Sequence, residues 1–109
     1  LFEAGNLQGA LPKFELVVRC RPEDFQAAYN LATVLYHLGE YARSADAFRR
    51  AVQLRPRDRD ANRFLGFALL NAGDLEGAAQ TWNHLLELFP DDAETLRNIE
   101  ILERWRGKP

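Results

Sequence analysis

Apolar residues in this chain recur at three- and four-residue intervals, in short runs that resemble one another. Between Phe25 and Leu38 they fall at 28, 31, 32, 35 and 38, the spacing that lays one stripe along an α-helix. Gly39 follows, where a helix end favours a residue that accepts a left-handed backbone. A second amphipathic run covers Tyr41 to Leu54, with Ala45, Phe48, Ala51, Val52 and Leu54 on one side, and Pro56 prevents its continuation. The pattern predicts pairs of helices joined by tight turns. Asp58 and Asp60, Asp91 and Asp92, and Asp74 stand where carboxylates cap helices and favour their positive ends.

The pairs repeat with a fixed period. Gly5, Gly39 and Gly73 are 34 residues apart, and so are Pro22, Pro56 and Pro90. The same interval aligns Leu7, Tyr41 and Leu75, then Ala10, Ser44 and Ala78, then Phe14, Phe48 and Trp82, and finally Cys20, Leu54 and Leu88. Small residues at Ala10, Ser44 and Ala78 suit the closest approach of two helices, faced by Ala32 and Gly66, with aromatic side chains filling the space one turn on. Ala78→Leu is expected to overpack that crossing at a cost of about 1–3 kcal/mol.

With these columns the chain resembles the tetratricopeptide repeat family, whose unit is a 34-residue helix-turn-helix. The third unit carries Asn62, Leu65, Gly66, Leu69, Gly73, Leu75, Ala78, Trp82, Leu85 and Pro90 at signature positions, although Ala28 and Asn62 stand where the family usually has an aromatic residue. The resemblance implies an all-α fold, a right-handed α-solenoid of antiparallel helix hairpins forming one domain over 1–109. On this frame 1–22 is a partial repeat, 25–58 and 59–92 are full repeats, and 93–106 is a capping helix. Residues 1 to about 4 are expected to be the last turn of a first helix and 7–20 its partner. Glu100 and Glu103 give the last helix a polar outer face, as a solenoid end requires. The N-terminal end is expected to be open, leaving Leu1, Phe2, Leu7 and Leu11 uncovered. The chain has no Met and opens Leu1-Phe2-Glu3, as expected of a part of a longer protein.

Composition narrows the partners. At 109 residues with 14 basic and 16 acidic side chains and a net charge of -2, the chain is a poor match for nucleic acid. No stretch approaches the roughly twenty apolar residues of a membrane span. One cysteine forms no internal disulfide, and the cytoplasm is the default expectation for location.

In the resembled family the first helix of each hairpin lines a concave groove that holds extended or helical peptides. That resemblance implies a peptide-binding set of Tyr29, Asn30, Thr33 and Tyr36, then Arg63, Phe64, Phe67 and Leu70, then Arg97, Asn98 and Ile101. Gln26, His37, Asp60, Asn71, Glu94 and Arg104 share these faces. Tyr29, Tyr36, Phe67 and Leu70 lie off the repeated core columns, and exposed aromatics beside Arg are residue types enriched at binding hot spots. Asn30 and Asn98 occupy one column, where amides in some relatives hold a peptide backbone, but Phe64 interrupts it. Arg63 and Arg97 are expected to select acidic segments. The Lys and Arg of the chaperone-binding carboxylate clamp are not expected, because Asp60 and Phe64 in one register, and Glu94 and Asn98 in the other, occupy those places.

Catalysis is not expected. His37 and His84 lack ligand-spaced partners for a metal, no phosphate-cradling loop is present, and no cofactor is implied. Cys20 reads as a small buried hydrophobe, and His84 as a partly exposed surface side chain. The expected function is a protein-interaction module taking a protein or peptide partner, the alternative being self-association into a homodimer through the open N-terminal end.

Overall fold

A computed structural model describes residues 4–107 of the chain. It contains α1 (Ala4–Cys20), α2 (Phe25–His37), α3 (Tyr41–Leu54), α4 (Arg59–Asn71), α5 (Leu75–Leu88) and α6 (Ala93–Arg106). The fold is an all-α, right-handed solenoid in which each helix packs on its neighbour in sequence. The described body measures 41 × 28 × 21 Å.

The turns obey the pattern of small and capping residues. Gly39 and Gly73 sit between paired helices at φ 81° and 93°, where a side chain would strain the backbone. Asp24, Asp58 and Asp74 each accept a hydrogen bond from a backbone N–H in the first turn they precede, those of Ala27, Ala61 and Gly77. Asp60 does not cap, since it lies inside the first turn of α4 and pairs with Arg63 at 3.3 Å. Asp92 holds the N-cap of α6 without a backbone bond from its side chain, and accepts instead from Thr95 Oγ1 at 3.0 Å.

The core is built at the small-residue crossings. Ser44, Ala78 and Ala32 are fully buried, and Ser44 Oγ donates to the carbonyl of Ala32 at 2.8 Å. A Cβ added to Gly66 would overlap the Trp82 indole, whose Nε1 donates to the Arg63 carbonyl at 3.2 Å. Ala32, the equivalent of Gly66, shares a buried cluster with Phe48, whose ring is smaller than the indole, in the preceding unit. Asn62 is buried where an aromatic is usual, and its Nδ2 donates to the carbonyls of Pro56 and Asp58, tying the loop to α4. A cation over an aromatic face closes each hairpin, with the partners exchanged. Arg55 lies 4.4 Å from the centre of Phe25, and Arg59, which stands in the column of Phe25, lies 4.4 Å from Phe89, which stands in the column of Arg55.

Three expectations at the N-terminal end are corrected. No break separates a short first helix from its partner, because α1 runs unbroken from Ala4 through Gly5 and Pro12 to Cys20. Glycine accepts a helical conformation as readily as a turn, and Gly5 is helical. Cys20 is exposed rather than buried, and Val17 of α1 is open to solvent where its equivalents Ala51 and Leu85 are fully buried. Among the described residues no first helix covers that side of α1. Leu7, expected to be uncovered, is buried. Leu1 and Phe2 lie outside the described residues. At the other end Glu100 and Glu103 are exposed, and so is His84.

Candidate functional site

The sequence-predicted residues lie on α2, α4 and α6, and the structure gathers most of them into two clefts on one side of the stack. The first encloses about 250 Å³ between α2 and α4, walled by Tyr29, Thr33, Tyr36, His37 and Phe64 and floored by Phe48 of α3. The second encloses about 310 Å³ between α4 and α6, walled by Phe67, Leu70, Asn98, Ile101, Leu102 and Trp105 and floored by Trp82 of α5. They are the same cleft one repeat apart: Thr33 becomes Phe67, Tyr36 becomes Leu70, Phe48 becomes Trp82 and Phe64 becomes Asn98.

Rings connect the clefts. Tyr29 meets Phe48 edge-on at 5.7 Å, Phe48 stacks with Phe64 at 6.0 Å, Phe64 lies 6.3 Å from Phe67, and Phe67 meets Trp82 edge-on at 5.1 Å. Tyr29, Tyr36, Phe64, Phe67 and Leu70 are thus half-buried against the core as well as presented to the clefts. For Tyr29, Tyr36, Phe67 and Leu70, off the repeated columns, packing between neighbouring hairpins is the other reading of their position, and the structure combines it with the cleft. Burial, followed by the charges of Asp60 and Asp58, raises the Tyr29 phenol above its ordinary range against the opposing pull of Arg63. Burial and Tyr41 likewise raise that of Tyr36, against the hydrogen bond from Asn71.

The polar groups of this face are largely occupied. Asn30 accepts from Gln26 at 2.9 Å, Thr33 donates to the Tyr29 carbonyl at 2.9 Å, and Asn71 donates to both the Tyr36 hydroxyl and the Phe67 carbonyl. Asn98 Nδ2 is shielded from solvent and has no hydrogen-bond partner among the described residues.

Arg63 is not the free cation expected. It reaches Asp60 at 3.3 Å, Asp92 at 3.2 Å and Glu94 at 3.8 Å, and only 17% of its side chain is exposed. It serves as a staple between α4 and the start of α6. Burial alone would raise the Asp92 pKa, but hydrogen bonds from Thr95 and Arg63 and the charge of Arg63 outweigh it and hold that carboxyl below its ordinary value. Arg97 and Arg104 are exposed and form no ion pair among the described residues. Ile101 and Trp105, 45% and 54% exposed, form the outer wall of the second cleft. Trp105 was absent from the predicted set, although its spacing four residues after Ile101 extends the same stripe. The two clamp positions hold Asp60 and Phe64, or Glu94 and Asn98. Among the described residues no group of three His, Cys, Asp or Glu could hold a metal, and no helix is long and apolar enough to cross a membrane.

Comparison with known proteins agrees with this architecture. Sequence profiles described as tetratricopeptide repeat match residues 1–58 and 39–97. No curated protein sequence matches the chain. Among solved structures it is similar to MamA 41-end from Desulfovibrio magneticus RS-1, at 24% identity and a TM-score of 0.82, over 94% of this chain and 58% of that one. It therefore spans less than two thirds of that relative. It is also similar to the first repeat domain of Spaghetti (RPAP3) bound to an HSP90 peptide, at 20% identity and a TM-score of 0.83, over 95% and 82% of the two chains. The third is the Yersinia enterocolitica type III secretion chaperone SycD in complex with a peptide of the translocator YopD, at 14% identity and a TM-score of 0.82, over 94% and 84%.

Proposed function

The chain belongs to the tetratricopeptide repeat family, and on that premise we propose that it is a protein-interaction module that holds a peptide or protein segment across α2, α4 and α6. It acts by binding rather than by catalysis. The observation that carries this reading is the pair of apolar clefts, one repeat apart and joined by packed rings. Because those rings are braced by the core, the surface is formed before a partner arrives and binding requires little reordering. The peptide-bound states of the RPAP3 domain and of SycD support it by analogy of fold.

The test is affinity capture with the wild-type chain, an Ile101→Asp/Trp105→Ala variant and a Leu16→Asp/Val17→Asp variant. All four positions are exposed, so matched thermal melts can establish that each variant folds. A partner lost only by the first variant supports the cleft face. A partner lost only by the second assigns binding to α1 and overturns the proposal.

A second reading has its own observation. Leu16 and Val17 leave an apolar strip on α1, 53% and 42% exposed, which suits a second copy of the chain. Light scattering that finds a dimer dissolved by Leu16→Asp supports self-association, whereas a monomer at all concentrations rejects it.

A further inference from the structure

We propose that the edge of the solenoid formed by its first two inter-hairpin turns is a second interaction surface, separate from the clefts, that takes a short acidic segment of a partner protein. The turns of this edge share one geometry. Asp24, Asp58 and Asp92 each donate a backbone N–H to the carbonyl three residues before, those of Arg21, Arg55 and Phe89, at 3.1 Å. Pro22, Pro56 and Pro90 hold the second position of each turn. Their charges differ. Around the second turn Arg55, Arg57 and Arg59 are all exposed, where the third has Phe89, Asp91 and Ala93 in the same columns.

These cations lack anions of their own. The side chains of Arg21, Arg55, Arg57 and Arg59 form no ion pair or hydrogen bond among the described residues. The carboxylates beside them are committed: Asp24 and Asp58 accept from the N–H groups of Ala27 and Ala61, and Asp60 pairs with Arg63. Only Glu23, among the described residues of these two turns, is a carboxylate without such a bond. Arg50 adds a fifth positive charge, because its guanidinium donates to the Pro22 carbonyl at 2.9 Å rather than to a carboxylate. That bond, with Arg55 over the Phe25 ring, also ties the first turn to the second.

The rings make this charge directional. Arg55 and Arg59 each lie 4.4 Å from a ring centre, those of Phe25 and Phe89. A ring beneath the charge restrains the side chain while consuming none of its N–H donors. Such a fork meets a planar carboxylate with two parallel bonds and little ordering left to do. The extent of the patch sets the length of the partner. It stops at the third turn, where Asp91 and Glu94 are exposed. A long polyanion laid along the edge would meet those carboxylates on a chain of net charge -2, whereas a short acidic segment ends before them.

The experiment titrates the chain with a synthetic peptide rich in Asp and Glu and with its Asn/Gln counterpart, followed by nuclear magnetic resonance at backbone amides and Arg Nε–H groups. The acidic peptide is expected to move the signals of Arg55, Arg57 and Arg59, and the neutral one to leave them in place. Binding should weaken as salt rises, and about tenfold in Arg57→Glu. The Arg57 side chain is exposed and unbonded among the described residues, so matched thermal melts should show that this variant folds. Arg104→Glu, near the far end of α6, changes the net charge equally and should leave the affinity unchanged. Equal losses in the two variants, shifts at Tyr29, Phe64 and Ile101 in place of the turns, or no binding of the acidic peptide overturn the inference and leave the cleft reading standing. Tighter binding of inorganic phosphate or of a single-stranded oligonucleotide at the turns also overturns it, the first marking a general anion site and the second a nucleic-acid surface.

Discussion

At the scale of single residues, two contacts do most to individualise this chain. Asp92 joins Arg63, Thr95 and the start of α6, with 6% of its side chain exposed. Its folded pKa is depressed, so its stabilising effect is fully present above the value of about 3.9 for an unfolded aspartate and is lost as pH falls through the lower folded value. Asp92→Asn should cost about 1–3 kcal/mol near neutral pH. In denaturant titrations the gap between wild type and variant should shrink below about pH 4, and a gap constant to low pH would contradict the assignment. The second contact is the fit of Gly66 to Trp82. Gly66→Ala should cost about 1–3 kcal/mol by overpacking. Adding Trp82→Phe recreates the Ala32–Phe48 combination of the preceding unit and should restore part of the loss. A double variant as unstable as the sum of the singles would show that the indole is not what Gly66 makes room for.

At the scale of helices, the exchanged cation–aromatic pair shows how a repeat can drift in sequence and keep its geometry. Phe25→Arg removes a ring buried in the core and sets two guanidinium groups together, costing about 3–5 kcal/mol, while Arg55→Phe removes the cation at a cost of about 0.5–1 kcal/mol. The double exchange writes into the second hairpin the order found in the third, and its loss should be about 0.5–1 kcal/mol smaller than the sum of the single losses. Additive losses would mean that the contact contributes nothing. The helices were legible because each carries an apolar stripe with Gly and Pro punctuation, and all three capping carboxylates that receive a backbone bond stand just before a stripe. Gly5 and Cys20 were misread because periodicity transfers a role from one unit to the next without asking whether the packing partner is there. Within the site, Tyr29, Phe64 and Phe67 were legible from their helix face. The confinement of Arg63 was not, since Asp92 and Glu94 lie about a whole repeat away in sequence and only the fold brings them together.

At the scale of the whole stack, the outermost described helices, α1 and α6, differ from the helices between them. Units in a solenoid touch only their neighbours, so each end offers a surface shaped to receive another helix. On α6 the positions equivalent to Ala32 and Leu35, both buried in the second unit, are Glu100 and Glu103, both exposed. On α1, Val17 is open where Ala51 and Leu85 are buried. We expect the α6 of one copy and the α1 of another to be able to meet as the first and second helices of a hairpin, at the cost of burying two carboxylates at the crossing. Such a contact joins unlike surfaces, so it would propagate rather than close. Glu100→Ala with Glu103→Leu restores the residues of the second unit at these positions. The variant should show a mass in light scattering that rises with concentration, and a further Val17→Asp change on α1 should abolish the rise. A double variant that scatters like the wild type would show that the carboxylates are not what limits the stack.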